Sequence, residues 1–324
     1  MDFSSKINNL KECVAATLKP IIGKRVIIPD APYYCNIGDI LIWQGMIDYL
    51  KHAGCELLHV SDRHTFSFPV IDRDVTILLT GGGNFGDLWR IHHTDRLKII
   101  ARYPDNRIVM CPQSVWYTDK NLIRTDSDAF AMHTDLHLCA RDRWSYEFMK
   151  KHFGRNHTYL VPDMAFCIAD HRLAPFRGNK KTNRYIFVRR NDKELRESTP
   201  ASLHDPSSIG DWPTLEHTPR HFFLFRKAFA TSGKLRNNYL CSSVFNGGVD
   251  YLASILIRRA IFKTGCRFLA PYSGVVTTRL HAMILAVLLH KPVKYIDNTT
   301  GKLSAYAESW LSDLPDVACY EPEH

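Results

Sequence analysis

The chain has 324 residues, 45% of them hydrophobic, and a formal net charge of +9 at pH 7. It can therefore bury a large core, and its length predicts two domains. The longest apolar run (residues 282–289) is too short to cross a bilayer, the N-terminus lacks the apolar core of a signal peptide, and the nine cysteines form no Cys-x-x-Cys pair. We predict a cytoplasmic protein with reduced thiols and an anionic partner, rather than a disulfide framework or a zinc cluster.

Strand-like and helix-like segments alternate through the first half of the sequence. Strand patterns cover residues 24–29, 75–80, 107–111, 136–140 and 158–161, and helix patterns cover 40–51 and 143–153. Such alternation predicts a parallel sheet with helices on both faces. His133, His137 and Cys139 are the nearest approach to a set of metal ligands, but the alternation around them favours a packed strand. We predict no metal site.

The same alternation restarts after Phe166. A polar, basic stretch at 170–183 predicts a linker, and residues 193–219, with four prolines, predict a long loop. Strands are predicted at 184–188, 267–276 and 294–296, and helices at 222–230, 248–264, 281–289 and 303–311. We therefore predict an α/β fold with two Rossmann-like domains, residues 1–168 and 169–324, that face a cleft.

Basic residues are concentrated between Arg177 and Arg196, where eight lysines and arginines stand against Asp192 and Glu194. A phosphorylated substrate, an anionic membrane surface and nucleic acid would each fit this charge. Because no recognised nucleic-acid module accompanies it, we predict that nucleic acid is not a partner. A solvated basic face without a special partner is the open alternative.

Two polar or glycine-rich turns are predicted at the strand ends of the first half, where open α/β sheets bind ligands. The first covers residues 36–39, and its Asp39 is either a helix N-cap or a base that accepts a proton from a substrate hydroxyl. The second covers residues 81–87, where consecutive glycines break the strand and let the backbone approach a ligand closely. It lacks the Lys-Ser/Thr pair of a P-loop, and packing alone is the alternative.

The third turn lies within residues 275–287, where a β-branched run is followed by an arginine, a histidine and an apolar helical segment. This pattern predicts a strand, a tight turn and a helix N-terminus, which binds anions through free N–H groups and the helix dipole. Arg279 adds a bidentate grip on phosphate or carboxylate, and His281 adds a proton carrier. The alternative is that Arg279 forms a salt bridge and that His281 only packs.

Together these segments resemble the polysaccharide pyruvyl transferase family. The matching pieces occur in the family's order at residues 36–39, 81–84, 140–145, 161–166 and 278–282, whereas residues 193–219 depart from its simplest pattern. The resemblance implies a GT-B-like fold. It also implies transfer of the enolpyruvyl group of phosphoenolpyruvate onto two sugar hydroxyls, which makes a cyclic ketal and releases phosphate.

The resemblance and the turns together suggest a role for each candidate residue. We predict that His281 protonates the donor or stabilises the departing phosphate, and that Asp39 activates the acceptor hydroxyl. Arg279 and the turn at Leu280 are predicted to bind the donor phosphate or carboxylate, with Arg141 as a second candidate and Arg189 as a weaker one. The acceptor is predicted to lie against the first half of the chain, near Asn36, Gly82, Gly83, Asn84 and Asp87. The alternative is that the glycine turn holds donor phosphate and that Asp87 caps a helix.

Phosphoenolpyruvate is a substrate, so we predict no cofactor. The acceptor implied by the resemblance is a galactose-type residue of a glycan carried on undecaprenyl diphosphate, used in capsule or exopolysaccharide synthesis. The basic surface suits peripheral contact with the inner face of the membrane that carries it. Two competing hypotheses are a GT-B glycosyltransferase that uses a nucleotide sugar and a non-enzymatic protein that binds carbohydrate or polyanions.

Overall fold

The computed structural model describes residues 1–178, 183–200, 206–220, 222–235 and 239–321. Their strands form two sheets, and every strand pair is parallel. The first sheet has the order β2-β1-β3-β5-β6-β7, and β4 pairs with the far end of β5. Its strands are β1 (Arg25–Ile28), β2 (Glu56–Val60), β3 (Val75–Leu79), β4 (Gly82–Gly86), β5 (Ile108–Trp116), β6 (Leu136–Ala140) and β7 (His157–Leu160).

The second sheet is built from the later part of the chain and has the order β12-β11-β10-β8-β9. Its strands are β8 (Tyr185–Val188), β9 (Pro206–Gly210), β10 (Gly274–Thr277), β11 (Val293–Tyr295) and β12 (Val317–Cys319). Pro206 is tolerated because it is the first residue of a strand at the sheet edge, where a missing N–H costs little.

Helices cover the sheets. A π-helical segment, Ala253–Arg259, joins the two helices called α9 and α10 below. The helices are α1 (Phe3–Leu18), α2 (Ile37–His52), α3 (Arg90–Arg102), α4 (Lys120–Ala131), α5 (Arg143–His152), α6 (Asp170–Leu173), α7 (Pro213–Glu216), α8 (Phe222–Leu235), α9 (Tyr239–Leu252), α10 (Ala260–Leu269), α11 (Leu280–Leu288) and α12 (Lys302–Trp310). No helix in the described ranges is long and apolar enough to span a membrane.

The α/β class with parallel sheets is confirmed. Its central helices, α2 and α11, are buried along most of their length and pack against each other. One continuous apolar core contains residues of both sheets, for example Ile28 of β1 and Val275 of β10. Because this core crosses the predicted boundary at residue 168, the division into two domains stays a prediction.

Four sequence-based assignments need correction. Residues 193–219 are not one long loop, because β9 and α7 lie within them. The segment 267–273 is not strand, because Ile261, Gly265 and Leu269 are buried at helical spacing and carry α10 to residue 269. The strand breaks before the glycines as predicted, since β3 ends at Leu79, but residues 82–86 then form the unpredicted strand β4, which pairs with β5 and has a φ of +129° at Gly82. The predicted linker contains α6, and its residues 179–182 lie outside the described chain.

A buried carboxyl joins α9 to the loop that follows β2. The hydroxyl of Thr65 donates a hydrogen bond of 2.6 Å to Asp250, and the side chain of Asn246 donates to the carbonyl of Thr65. The pKa of Asp250 is raised to about 7, mainly by burial and also by the negative charge of Asp62, against the hydrogen bonds from Thr65 and Tyr33 that lower it. Asp250 therefore holds its proton in the folded state below neutral pH.

This raised pKa predicts a stability that falls as the pH rises. Because the folded pKa of Asp250 exceeds the unfolded one, its contribution is complete below about pH 4 and is lost through pH 7. The total loss is of the order of 4 kcal/mol, since one pKa unit corresponds to about 1.4 kcal/mol. His59, 3.5 Å from the carboxyl, has a pKa lowered by burial and offers little compensating charge at high pH. Urea unfolding at pH 5 and pH 8 should show a smaller difference for Asp250→Asn than for the wild type, and equal differences would contradict the assignment.

Candidate active site

A cavity of about 430 Å³, here called the central cavity, is lined by residues that follow strands of both sheets. Parallel strands bring their carboxyl ends to one edge, so residues far apart in sequence meet there. The lining residues are Tyr34, Asn36, Asp39, Gly83, Asn84, Trp89, His92, Arg141, Arg190, Asn191, Asp192, Glu194, Asp211, Trp212, Leu215, Arg279, Leu280, His281 and Lys302.

The start of α11 has the predicted strand, turn and helix geometry. β10 ends at Thr277 and α11 begins at Leu280, whose side chain is buried. Arg279 is the N-cap but makes no capping bond with its side chain. Within the described chain, no hydrogen bond partner is found for the amides of Leu280 and His281. These two donors and the helix dipole make this end of the cavity suitable for an anion.

The guanidinium of Arg279 is already paired with two carboxylates. Its Nε and Nη2 form a two-point contact with Asp211, and Nη2 also donates to Asp192 at 3.1 Å. Burial lowers the pKa of Arg279, but the hydrogen bond and charge of Asp211 outweigh this and raise it. An anionic ligand must therefore use the remaining Nη1 or displace a carboxylate. The predicted bidentate grip is not free in this arrangement.

Arg190 and Lys302 are paired in the same way. Arg190 donates to Asp192 and to Glu194, and the amine of Lys302 donates to Glu194. Burial raises the pKa of Asp192 and Glu194, but Arg190 and its cationic neighbours lower both to about 2. Both acids are thus ionised at neutral pH. The cavity wall holds as many carboxylates as lysines and arginines, so its cations are largely neutralised.

A buried charge cluster orients His281. Arg141 donates to Ser114 and, through Nη1 at 2.9 Å, to Asp163. Nε2 of His281 lies 3.3 Å from the same carboxylate. Burial raises the pKa of Asp163, but the charge and hydrogen bond of His281 and the charge of Arg141 bring it well below its usual range. An ionised Asp163 accepts from Nε2–H and so fixes the orientation of the ring, with Nδ1 on the side of Gly38.

The first turn of α2 touches this histidine directly. A Cβ on Gly38 would lie 2.5 Å from Nδ1 of His281, so a glycine is required where α2 and α11 meet. Asn36 caps α2 by accepting from the amide of Gly38, and its Nδ2 donates to Asp39 at 2.7 Å. The pKa of Tyr34 lies well above its usual value because the phenol is buried beside the charge of Asp39. Asp39 therefore faces the cavity with its carboxylate held by neighbours.

Comparisons with known proteins show the family of this chain. The family model described as polysaccharide pyruvyl transferase matches residues 36–300. The chain belongs to this family. A putative pyruvyl transferase, EpsO, of Bacillus subtilis (strain 168) is 31% identical over 326 residues, covering 98% of this chain and 95% of its own. Pyruvyl transferase 1 of Schizosaccharomyces pombe is 26% identical and covers 89% of this chain and 70% of its own.

A solved structure supports the fold alone. The uncharacterised protein KP1_0663 of Klebsiella pneumoniae aligns with a TM-score of 0.62 at 18% identity, covering 97% of this chain and 99% of its own. The family assignment makes the protein a polysaccharide pyruvyltransferase. It therefore displaces both competing hypotheses, the glycosyltransferase that uses a nucleotide sugar and the non-enzymatic binding protein.

Most of the predicted site residues of this pyruvyltransferase line the central cavity, but three do not. Arg189 donates to the carbonyl of Pro200, and its neighbour Arg190 lines the cavity. Asp87 accepts from the amides of Thr118 and Asp119, both at 2.7 Å. Gly82 lies behind the wall, where a Cβ would be 3.4 Å from Asp39. The roles predicted for these three residues stay predictions, and the geometry favours Arg190 over Arg189.

Several charged residues of the cavity were missed by the sequence analysis. They include Asp192, Glu194, Asp211 and Lys302, which surround the predicted arginines, and Asp163, which holds His281. Asp163 stands inside a family-like segment, directly before a short 3-10 helix whose Ala165 amide it caps. That capping position was the one signal in the sequence that could have identified Asp163. Asp192, Glu194 and Asp211 come from loops and Lys302 from the start of α12, and their approach to the cavity depends on tertiary structure.

Proposed function

We propose that the enzyme transfers the enolpyruvyl group of phosphoenolpyruvate onto two hydroxyls of one sugar, releasing phosphate and leaving a cyclic pyruvate ketal. The acceptor proposed is a galactose-type residue of a lipid-linked glycan for capsule or exopolysaccharide. Two Rossmann-like domains of GT-B type facing the cavity belong to the same proposal. The observation that carries it is the meeting of cations, free helix amides, His281 and Asp39 in one cavity.

The donor carries a phosphate and a carboxylate, and the cavity offers donors for both. A Cβ on Gly83 would lie 3.5 Å from Nη2 of Arg141 and 3.7 Å from Nζ of Lys302, so an anion over Gly83 would meet two cations. The amides of Leu280 and His281 are a second set of donors. Preorganised donors of this kind stabilise the developing charge on a departing phosphate without a metal ion. We assign one anionic group of the donor to each set.

Proton transfers follow from the orientation of the histidine and the aspartate. Protonation of the donor's methylene carbon by His281 Nδ1 creates an electron-poor carbon, and a sugar hydroxyl attacks it while losing its proton to Asp39. The bond from that carbon to the phosphate oxygen then breaks. The second hydroxyl attacks the resulting cation and closes the ketal. One proton goes to carbon and two leave the hydroxyls. The one taken by Asp39 restores, through solvent, the proton that His281 gave, and the second leaves on the departing phosphate.

Phosphate release tests this function. Purified enzyme with phosphoenolpyruvate and methyl β-galactoside should release phosphate and form a product that is heavier than the galactoside by one pyruvate less one water. Omission of either substrate should stop the release of phosphate. In thermal unfolding, phosphoenolpyruvate should stabilise the protein, by roughly 2.7 kcal/mol at a hundred times its Kd. Stabilisation by nucleotide sugars, with no phosphate released from phosphoenolpyruvate, would contradict the proposed donor.

A further inference from the structure

A second cavity of about 350 Å³, here called the side chamber, adjoins the central cavity. The two share Gly83 and Lys302, so a ligand in one can continue into the other. The side chamber lies between the ends of β5 and β6 and the start of α12, and none of the roles assigned above uses it. Its volume is at the lower end of small-molecule sites, roughly 300–1,000 Å³.

An exposed tryptophan stands in the wall of the side chamber. The side chain of Trp144 is 52% exposed, which is unusual for so large an apolar residue near a site. Its ring stacks on Phe148 at 5.4 Å between centroids, and Phe148 in turn stacks on Tyr117 at 5.8 Å. This aromatic row holds Trp144 in place. A fixed aromatic face in a polar cavity can cover the apolar C–H face of a sugar ring.

The charges of the side chamber favour a neutral ligand. Two carboxylates, Asp142 and Glu308, line it against one cation, Lys302, whose amine is already bound to Glu194. A phosphate or diphosphate would meet net repulsion here. Asp142 is occupied in capping α5, whereas no hydrogen bond or ion pair of Glu308 is found in the described chain. Glu308 is therefore available to accept hydrogen bonds from hydroxyls.

We infer that the side chamber binds the next sugar residue of the acceptor glycan. This residue is a neutral hexose that stacks on Trp144 and donates a hydrogen bond from a hydroxyl to Glu308. This inference rests on the proposed function, because the sugar that receives pyruvate must lie near Asn84, beside the donor group over Gly83. Phosphoenolpyruvate is small enough to be held in the central cavity alone. A glycan longer than one ring must leave that cavity, and the side chamber is the continuation beside Gly83.

The test compares lactose with methyl β-galactoside as acceptors for the wild type, Trp144→Ala, Glu308→Gln and Asn84→Ala. The wild type should use lactose with the lower KM. Trp144→Ala should reduce this preference for lactose about tenfold, because one stacked ring contributes up to about that factor. The loss should fall on the acceptor KM rather than on kcat. Asn84→Ala, in the central cavity, should raise the KM of both acceptors together. Met132→Ala, an exposed apolar residue outside both cavities, is the matched control.

Binding of lactose alone, followed by saturation-transfer NMR, separates this inference from the proposed function. If no phosphate is released with any acceptor but lactose still binds and Trp144→Ala weakens it, the proposed reaction fails and the sugar subsite stands. If phosphate is released but the wild type uses lactose no better than methyl β-galactoside, the subsite is wrong. An equal loss for both acceptors in Trp144→Ala would also overturn it.

Discussion

Replacement of His281 by alanine is expected to lower kcat at least about a hundredfold while the protein stays folded, because positioned proton transfer contributes about 10² to 10⁴-fold. The imidazole is held through Nε2 by ionised Asp163, and the proposed proton transfer uses the other ring nitrogen, Nδ1. Asp39→Asn should show a loss of similar size, since an amide cannot take the hydroxyl proton. Initial rates of phosphate release at saturating substrates, with circular dichroism to confirm folding, measure both effects.

Asp163→Asn is the control that separates orientation of His281 from simple packing. The amide keeps the shape of the carboxylate but is no longer a charged acceptor for Nε2–H of His281. If Asp163 orients the imidazole, kcat should fall in this variant, whereas a packing role would lower thermal stability and leave kcat unchanged. If His281→Ala keeps near-full turnover, the acid is another group and this assignment is wrong.

The parts of the site that were predicted best are those formed by residues close together in the sequence. Residues 275–287 contain a strand, a turn and a helix within one short stretch, so the positions of Arg279 and His281 at a helix N-terminus could be read from the pattern. The ionic partners of Arg279 could not, because Asp192 and Asp211 come from loops after other strands. Their approach depends on how the second sheet folds, which no local pattern encodes.

A strand end fixes a position only to within one residue. Arg189 and Arg190 are adjacent in extended chain, where successive side chains point to opposite faces, and only Arg190 is a lining residue of the central cavity. The strand β4 was missed for a different reason. The glycines do follow the end of β3, but β5 is long enough to pair with β3 first and with β4 beyond it. The pairing with the long strand β5 outweighed the low strand propensity of the glycines.

Arg279→Lys is expected to raise the KM for phosphoenolpyruvate at least about tenfold. A lysine keeps the charge but loses the planar fork, which can hold a carboxylate and still present further N–H donors to a ligand. Because Arg279 also pairs with Asp211 and Asp192, the variant should be less stable as well. Steady-state kinetics with the donor varied, together with the thermal midpoint, give both quantities.

Asp211→Asn distinguishes a donor-binding arginine from a structural one. Removing this carboxylate weakens the same ion pair from the other side, so both variants should lose stability. If Arg279 binds the donor, however, Asp211→Asn frees its fork and should leave the donor KM unchanged or lower it, the opposite of Arg279→Lys. If Arg279 serves only the ion pair, the two variants should share a lowered thermal midpoint and an unchanged donor KM. That result would move donor binding to Arg141, Lys302 and the amides at the start of α11, whose positions do not depend on the fork of Arg279.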